Sequence, residues 1–375
     1  MMQNRYIESL KCELPFLGFG AMRLPTTGAD EIVDKEHVKR MVAHAYESGA
    51  TYFDTAYMYH RGQSEVVMGE LLAEYPRDSF MLATKLPVVF LKEKGDQERI
   101  FTEQLERLKV DYFDFYLAHA IDSEKVETMK KLNTVEFLLK LKEEGKIKRL
   151  GFSFHGSIEC FKETLAMAPW EFVQLQLNYY DFMASAEAPT LYNLAREFGL
   201  PVILMEPVRG GMLANMPDEA ASILKKANPN KSLTAFALEW TMELEGVAMS
   251  LSGMSNLEQV VENVETLSTF IEVPENEKQA VQECAAFLTE YKTIGCTNCQ
   301  YCMPCPMGID IPAIFKVYND YKLLKNIFRS TLNYKAIETK ADVCIHCGQC
   351  VSACPQQLDV PTLLEQVTEE LSVLL

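Results

Sequence analysis

Eight of the eleven cysteines fall in two runs, Cys296-x-x-Cys299-x-x-Cys302-x-x-Cys305-Pro306 and Cys344-x-x-Cys347-x-x-Cys350-x-x-x-Cys354-Pro355. Thiolates are soft ligands, and four of them spaced two or three residues apart can wrap a metal centre. Two chemistries fit. A repeated C-x-x-C pair is also a zinc-ribbon pattern, whereas four thiolates ending on a cysteine followed by proline suit a [4Fe–4S] cubane. The fourth cysteine of each run and the two trailing prolines favour iron–sulfur. Cys12, Cys160 and Cys284 are scattered and read as ordinary small apolar residues, and His346, inside the second run, as a surface group or a neighbour of the centre.

A second constellation is Asp54, Tyr59, Lys85 and His119, each at or just beyond the end of a short apolar run. Reducing a carbonyl by hydride requires a proton donor at the oxygen that becomes the alcohol, and a tyrosine hydroxyl serves if its pKa is lowered. Lys85 beside Tyr59 would favour the phenolate, Asp54 would hold the ammonium, and His119 could orient the carbonyl. Taken singly, Tyr59 is one of 16 tyrosines, and Asp54 with Lys85 is a plain ion pair. The coincidence of four such residues at run ends is what points to catalysis. His155 follows another run and is a candidate substrate contact, while His37, His44 and His60 read as surface groups. Arg23 and Arg209 lie in loops where they either meet an anionic group of substrate or cofactor or are solvated.

These residues need elements to hold them. From Phe16 to about Thr269, short apolar runs alternate with segments of helical period, the pattern of repeated βα units. FLGFGA, TYFDTA, FMLATKL, FDFYLAH, RLGFSF, FVQLQLN, PVILMEP and VAMSLSG read as eight parallel strands. Several intervening helices end on glycine, as in ESG, EEG and EFG, which suits a left-handed C-cap. The fold class is therefore α/β: a (β/α)₈ TIM barrel followed by a small α-rich iron–sulfur domain. A G-x-G-x-x-G dinucleotide fingerprint is missing where an open doubly wound sheet would need one. Residues before Pro15 form a hairpin outside the barrel. The expected division is 1–271 for the barrel, 272–294 for a linking helix and 295–375 for the cysteine-bearing domain. In such a barrel, chemistry sits at the C-terminal ends of the strands, where the four residues above fall.

The chain of 375 residues carries 36 Lys and Arg against 53 Asp and Glu, a net charge of −17, which opposes binding to nucleic acid and to anionic membranes. Apolar residues make up 48% of it, enough to fill a large core. No apolar run is long enough to span a bilayer and the N-terminus lacks a signal-peptide core, so a cytoplasmic protein is expected. Its reducing surroundings favour thiol ligands over disulfides. The oligomeric state is open.

The second cysteine run has the bacterial ferredoxin spacing, and the pair of runs resembles a two-cluster ferredoxin domain. That resemblance implies crossed ligation of two [4Fe–4S] clusters: Cys296, Cys299, Cys302 and Cys354 on one, and Cys344, Cys347, Cys350 and Cys305 on the other. The first run is one residue short before its last cysteine, and a long insert separates the runs. From Leu17 to Asn263, the segments LGFGAMRLP, GATYFDTAYMYHRGQSE, ATKLP, DYFDFYLAHA, RLGFSF, FVQLQLNY and SGMSNLEQVVENV occur in the order of the aldo-keto reductases. The chain thus resembles that family's ferredoxin-fused branch. The likeness implies the catalytic set Asp54, Tyr59, Lys85 and His119. It also implies a nicotinamide cofactor, NAD(P)H, along Gly20, Met22, Asp54, Ser153, Gln174, Met205, Arg209, Gly253, Gln259 and Asn263, with Asn178 near the nicotinamide end. Met205 stands where the family has an aromatic that stacks on the nicotinamide, and Phe154 where it has Asn after the matched Ser153. Gly253 and Gln259 replace the Lys and Arg of members that prefer NADPH, which weakens the expected grip on a 2′-phosphate.

The leading expectation is hydride transfer between a nicotinamide cofactor and an aldehyde or ketone, with Tyr59 as proton donor. The alternative is an electron-transfer or redox-sensing protein that uses the barrel as a nucleotide-binding module and meets a redox protein partner. Cluster ligation also offers a small domain of about 80 residues a structural staple.

Overall fold

The computed structural model describes residues 1–28, 32–324 and 327–372. It divides into two compact units, Met1–Pro207 with Thr234–Glu275, and Val208–Leu233 with Asn276–Leu375. The division follows packing rather than chain order. The segment 208–233 and all but the first residue of the helix Glu275–Thr289 belong with the cysteine-bearing unit.

In the first unit, the eight apolar runs form the strands β1 (Leu17–Gly20), β2 (Tyr52–Asp54), β3 (Met81–Leu86), β4 (Phe113–Ile121), β5 (Ile147–Phe154), β6 (Phe172–Gln176), β7 (Val202–Met205) and β8 (Val247–Gly253). They pair in parallel, in chain order, and β8 closes on β1 to complete a barrel. These strands carry apolar side chains on both faces because both are buried. Inside, Tyr52, Phe115, Leu117, Phe172, Ile203 and Met249 pack together, joined by Leu10 and Leu14 of the antiparallel hairpin Asn4–Ile7/Cys12–Pro15. Outside, helices cover the strands with residues such as Val38, Met41 and Val42 of Lys35–Glu47. The glycines that close three of the helices, Gly49, Gly145 and Gly199, have φ of 92°, 73° and 70°, the left-handed cap that a Cβ would oppose.

One strand is irregular where it matters. The β4–β5 register shifts between Ala118 and Ile121, and Ala120 has φ of 52°. Such a bulge re-aims the side chains beside it, and here it holds His119. The Ala120 N–H, displaced from the ladder, donates to the Ser153 hydroxyl at 2.7 Å.

The second unit has a smaller core, with Ile309, Ile314, Phe315, Tyr318, Tyr334, Val360, Leu364 and Val367 at its centre. Its helices include Ile311–Leu324, Ile327–Ala336 and Val360–Leu371. A repeat longer than the cysteine runs becomes visible here. Cys305-Pro-Met-Gly-Ile-Asp-Ile-Pro leads into the first of these helices, and Cys354-Pro-Gln-Gln-Leu-Asp-Val-Pro leads into the last. In each, the aspartate sits at the helix start. Asp310 accepts from the Ala313 N–H at 3.0 Å, and Asp359 accepts from the Thr362 hydroxyl at 2.7 Å. An aspartate followed by a first-turn proline is a strong helix-start pattern.

Candidate active site and candidate cluster sites

At the C-terminal ends of the barrel strands, Asp54 closes β2 and Lys85 lies near the end of β3. Lys85 is 1% exposed, and its Nζ donates to Asp54 Oδ1 at 2.5 Å and to the Thr55 carbonyl at 2.8 Å. Burial pulls the ammonium's pKa below its ordinary value, and the Asp54 carboxylate acts against that fall. The second Asp54 oxygen accepts from Gln174 Nε2 at 2.7 Å, across the barrel from β6. The Lys85 Nζ lies 5.1 Å from the ring centroid of Tyr59, and the Tyr59 and His119 rings stand edge-on, 6.0 Å apart. His119 is held well below its ordinary pKa, first by burial and then by the Lys85 cation, so at neutral pH its imidazole is neutral. The four residues singled out by strand-end position therefore lie side by side, Asp54 on Lys85, Lys85 against Tyr59 and Tyr59 against His119.

The residues expected along the cofactor are more dispersed. Gly20, at the end of β1, pairs in register with Asp54 and with Gly253, and a Cβ on it would meet the Ser252 carbonyl oxygen at 3.1 Å. Met22 lies in the turn Ala21–Arg23 and Met205 at the end of β7. Ser153 and Gln174 are buried in the barrel wall, Gln174 committed to Asp54. Asn178 caps its own turn, accepting from the Asp181 N–H at 2.9 Å. Gln259 accepts from the Ser255 N–H at 2.7 Å, and Asn263 Nδ2 donates to the Ser252 hydroxyl at 3.1 Å. The Asn263 Oδ1 is buried with no hydrogen-bond partner among the described residues, which fits a donor from outside the protein.

Arg209 is the remaining residue expected along the cofactor. It belongs to the second unit, where its Nη1 is 3.3 Å from Met212 Sδ and its Nη2 would lie 3.8 Å from a Cβ on Gly295. Arg23, the other mouth cation, pairs with Glu206 at 2.6 Å. His60, expected at the surface, instead accepts from the Leu24 N–H through Nε2 at 3.1 Å, with φ of 50°. The His155 N–H donates to the Ile121 carbonyl, and burial pushes its imidazole down to about 4.

Two carboxylates that sequence reasoning passed over are built into this region. Glu206 follows Met205 and pairs with Arg23. Glu65 is fully buried on the helix Gln63–Leu72. Its signal was legible: Glu65 shares one helical face with the buried Met68 and Leu72, three and seven residues on, and a carboxylate on a core-facing stripe calls for an explanation.

In the second unit the thiols gather as two crossed sets. Cys296, Cys299, Cys302 and Cys354 line one cavity with Phe315, Leu358 and Val360. Cys305, Cys344, Cys347 and Cys350 line another, which Cys302 also borders, with Met307, Ile345 and Leu364. The Cys302 thiol is pushed up to about 12 by burial and then by Cys299, Cys296 and Cys354. Cys350 is raised by burial and by Cys344, Cys347 and Cys305. Among the described residues no three His, Cys, Asp or Glu side chains converge on a point that a single ion would occupy. Four thiols spread around an apolar cavity fit a polynuclear group better than one tetrahedral ion.

The loops repeat in backbone as well as sequence. Asn298 and His346, each just before the second cysteine of a run, have φ of 56° and 54°; Gln300 and Gly348, each just after it, have 69° and 76°. The Asn298 N–H donates to Cys296 Sγ at 3.4 Å. His346 is exposed and pairs with Glu365 at 3.1 Å. Cys160 and Cys284 are buried, and Cys12 is half-buried.

A closed barrel with a buried Asp–Lys pair beside a tyrosine and a histidine, together with a domain of two thiol-lined cavities, is the architecture of an oxidoreductase with an iron–sulfur module. The comparisons with known proteins agree. The pattern of the aldo/keto reductase family matches residues 16–286, so the chain belongs to that family, and that of a 4Fe-4S dicluster domain matches residues 295–358. The chain is 30% identical over 232 residues to a probable aldo-keto reductase 1 of Glycine max, a match spanning 58% of this chain and 63% of the soybean protein. It is 29% identical over 301 residues to the L-galactose dehydrogenase of Arabidopsis thaliana, covering 74% of this chain and 92% of that one. The holo form of an aldo-keto reductase from Bacillus halodurans superposes with a TM-score of 0.64 at 24% identity, over 76% of this chain and 96% of that one, a likeness of fold.

Proposed function

We propose that the barrel unit reduces an aldehyde or ketone to the alcohol with NAD(P)H, and that the second unit carries two [4Fe–4S] clusters on the crossed thiol sets. The observation that carries the first part is the buried Asp54–Lys85 pair lying against Tyr59. Bound nicotinamide supplies the hydride to the carbonyl carbon. Tyr59 delivers the proton to the carbonyl oxygen, so that one hydride and one proton make the alcohol. Lys85, held as a cation by Asp54, favours the phenolate that Tyr59 leaves behind. Neutral His119 orients the carbonyl oxygen toward Tyr59 by hydrogen bonding. Gln174 fixes the second Asp54 oxygen, and the buried Asn263 carbonyl is available to a cofactor donor. Gly253 and Gln259 supply no cation for a 2′-phosphate, which supports NADH use beside NADPH.

The exposure of Cys347 favours a second role for the same clusters, exchange of single electrons with a redox protein. Among the described residues no helix is long and apolar enough to cross a membrane.

Turnover of a panel of aldehydes and ketones by anaerobically purified protein, parent against Tyr59→Phe, tests the barrel reading. We expect the variant to lose about 10²–10⁴-fold in turnover while binding the reduced cofactor as the parent does. A variant that keeps most of its turnover removes Tyr59 as the donor. Reduction of the clusters by NADH alone, followed in the visible spectrum, tests the electron-exchange role.

A further inference from the structure

The side chain of Glu65 is completely buried, and its hydrogen bonds lead through Gln104 and Arg107 to the backbone at Lys85 and at Tyr57. Its Oε1 accepts from the Thr84 hydroxyl at 2.7 Å and from Gln104 Nε2 at 2.7 Å. The same Gln104 nitrogen donates to the Lys85 carbonyl at 3.0 Å, and the Gln104 carbonyl accepts from the Tyr116 hydroxyl at 2.6 Å. Its Oε2 accepts from Arg107 Nη1 at 3.3 Å. Arg107 in turn reaches the Tyr57 carbonyl at 3.5 Å and stacks its guanidinium 4.1 Å from the Tyr57 ring, two residues before Tyr59.

The neighbouring Ser64 completes the frame. Its hydroxyl donates to the Ala21 carbonyl at 3.0 Å and lies 2.8 Å from the Thr55 hydroxyl; Thr55 is the residue whose carbonyl accepts from Lys85 Nζ. One turn of helix thus holds the backbone around Lys85, the loop of Tyr59 and the end of β1.

Burying a carboxylate is costly unless it is paired and fully hydrogen-bonded, and hydrophobic residues of similar volume would stabilise a barrel as well or better. A charge kept in such a place has its most direct explanation in what it does to neighbouring charges. We propose that Glu65 is a positioning residue for carbonyl reduction: with Gln104 and Arg107 as its two arms, it fixes the backbone at Lys85 and, at Tyr57, the loop that carries Tyr59, and sets a second negative charge behind the Lys85 ammonium. The proposal rests on the barrel reading above.

The charged and titratable groups around this frame are few. Lys85 faces Asp54 from β2, Tyr59 from the following loop and His119 from β4. Glu65 faces Arg107 from the helix Lys94–Leu108 and Tyr116 from β4, and Arg107 also pairs with Glu103 at 3.5 Å. Removing the two central charges therefore moves Lys85 in opposite directions. Glu65→Gln withdraws an anion from behind the ammonium, so Lys85 loses its proton at lower pH. Arg107→Met leaves that anion uncompensated, so Lys85 keeps its proton to higher pH.

The test follows the Lys85 titration directly, by NMR of lysine-labelled full-length protein, with Lys85→Met to assign the resonance. The expected shifts are on the order of one pH unit, downward in Glu65→Gln and upward in Arg107→Met. The alkaline limb of the turnover profile should move with them, while the dissociation constant for NADPH stays within about twofold, since neither residue faces the cofactor-binding strand ends. A role confined to packing would move both variants in one direction or leave the titration where it is, and either result overturns the proposal. If Glu65→Gln does not fold, Arg107→Met decides by the sign of its shift. The NMR titration reports on Glu65 whether or not Tyr59 proves to be the donor, so failure of one reading is separable from failure of the other.

Discussion

Lys85 is a lysine that burial alone would tend to neutralise, and Asp54 is the group that opposes this. Replacing it with a methionine of similar length leaves Asp54 buried, with Gln174 as its remaining side-chain donor. Breaking one partner of a buried pair costs about 3–5 kcal/mol. Lys85→Met should therefore lower thermal stability and abolish carbonyl reduction together. Lys85→Arg should restore much of the stability but little of the rate, because a guanidinium cannot occupy the same point beside Tyr59. Calorimetry alongside turnover checks this; full activity in Lys85→Met would remove the ammonium from the chemistry.

His155 gives the barrel unit a pH dependence of known sign. Its pKa lies at about 4 in the folded chain against 6.5 for the free imidazole. Between those values the unfolded chain binds the proton and the folded one does not, so folding loses stability as pH falls from about 6.5 toward 4. His119, also depressed, adds in the same direction. We expect the denaturation midpoint to fall across that window, with a shallower slope in His155→Gln. An unchanged slope would show that His155 is not held neutral in the folded chain.

The cofactor end makes a third residue-scale prediction. A docked 2′-phosphate without a bidentate Arg or a nearby Lys forgoes charge-assisted bonds of about 1.5–3 kcal/mol each. Gln259 is spent on the Ser255 N–H, and the space a side chain at position 253 would take is filled by Arg23. Fluorescence titration should find NADPH bound less than about a hundredfold more tightly than NADH; a larger ratio would mean that another cation grips the phosphate. At this scale the sequence singled out Asp54, Tyr59, Lys85 and His119 because they lie at or just beyond the ends of three successive apolar runs. It did not reveal that Gln174 serves Asp54, a contact 120 residues long that only barrel closure creates. Nor did it reveal that Arg209 folds with the cysteines.

Among the elements, the eight strands were legible because a barrel strand buried on both faces must read as an apolar run. The bulge of β4 was not, since LAHAI offers no glycine or proline to mark it. The repeat of the second unit was overlooked beyond its cysteines because Ile and Val, or Ile and Leu, exchange freely in a core, and a 38-residue-scale insert hides the register. Two glycines, Gly210 packed against the first cysteine run at Thr297 and Gly348 within the second, should respond differently to substitution. A Cβ on Gly210 would lie 2.7 Å from the Thr297 carbonyl oxygen with φ at 62°, whereas one on Gly348 meets nothing within 4 Å. Gly210→Ala carries both a clash and a left-handed alanine, a cost of about 1–3 kcal/mol, while Gly348→Ala carries only the backbone term of about 1 kcal/mol. Iron retained after gel filtration should fall toward one cluster's worth in Gly210→Ala and stay near the parent's in Gly348→Ala. Equal retention in both would show that the loop bearing Gly210 does not support the first thiol set.

For the whole molecule, the small core of the second unit sets the expectation. Two clusters on eight thiolates amount to about eight iron and eight sulfide atoms per chain, to be counted after anaerobic purification; two zinc ions without sulfide would sink that assignment. Removing the iron with a chelator should melt the second unit and spare the barrel, since ligation is folding energy for a domain with so little apolar core. Two calorimetric transitions in the loaded protein, collapsing to one after chelation, would report it, and loss of both together would mean that the barrel depends on the metal too.

The segment Val208–Leu233 belongs to the second unit although it is made as part of the barrel's seventh connection. On the ribosome, Gly210 emerges well before Thr297, the residue it will pack against. At about 5–20 residues per second the intervening stretch takes roughly 4–17 s to make. During that interval the seventh connection has no partner, and a nascent chain halted there would present it to chaperones or proteases. The same threading means that the polypeptide passes from one unit to the other at three points, so a single proteolytic cut near Glu275 would leave the barrel fragment still holding 26 residues whose natural companions have departed.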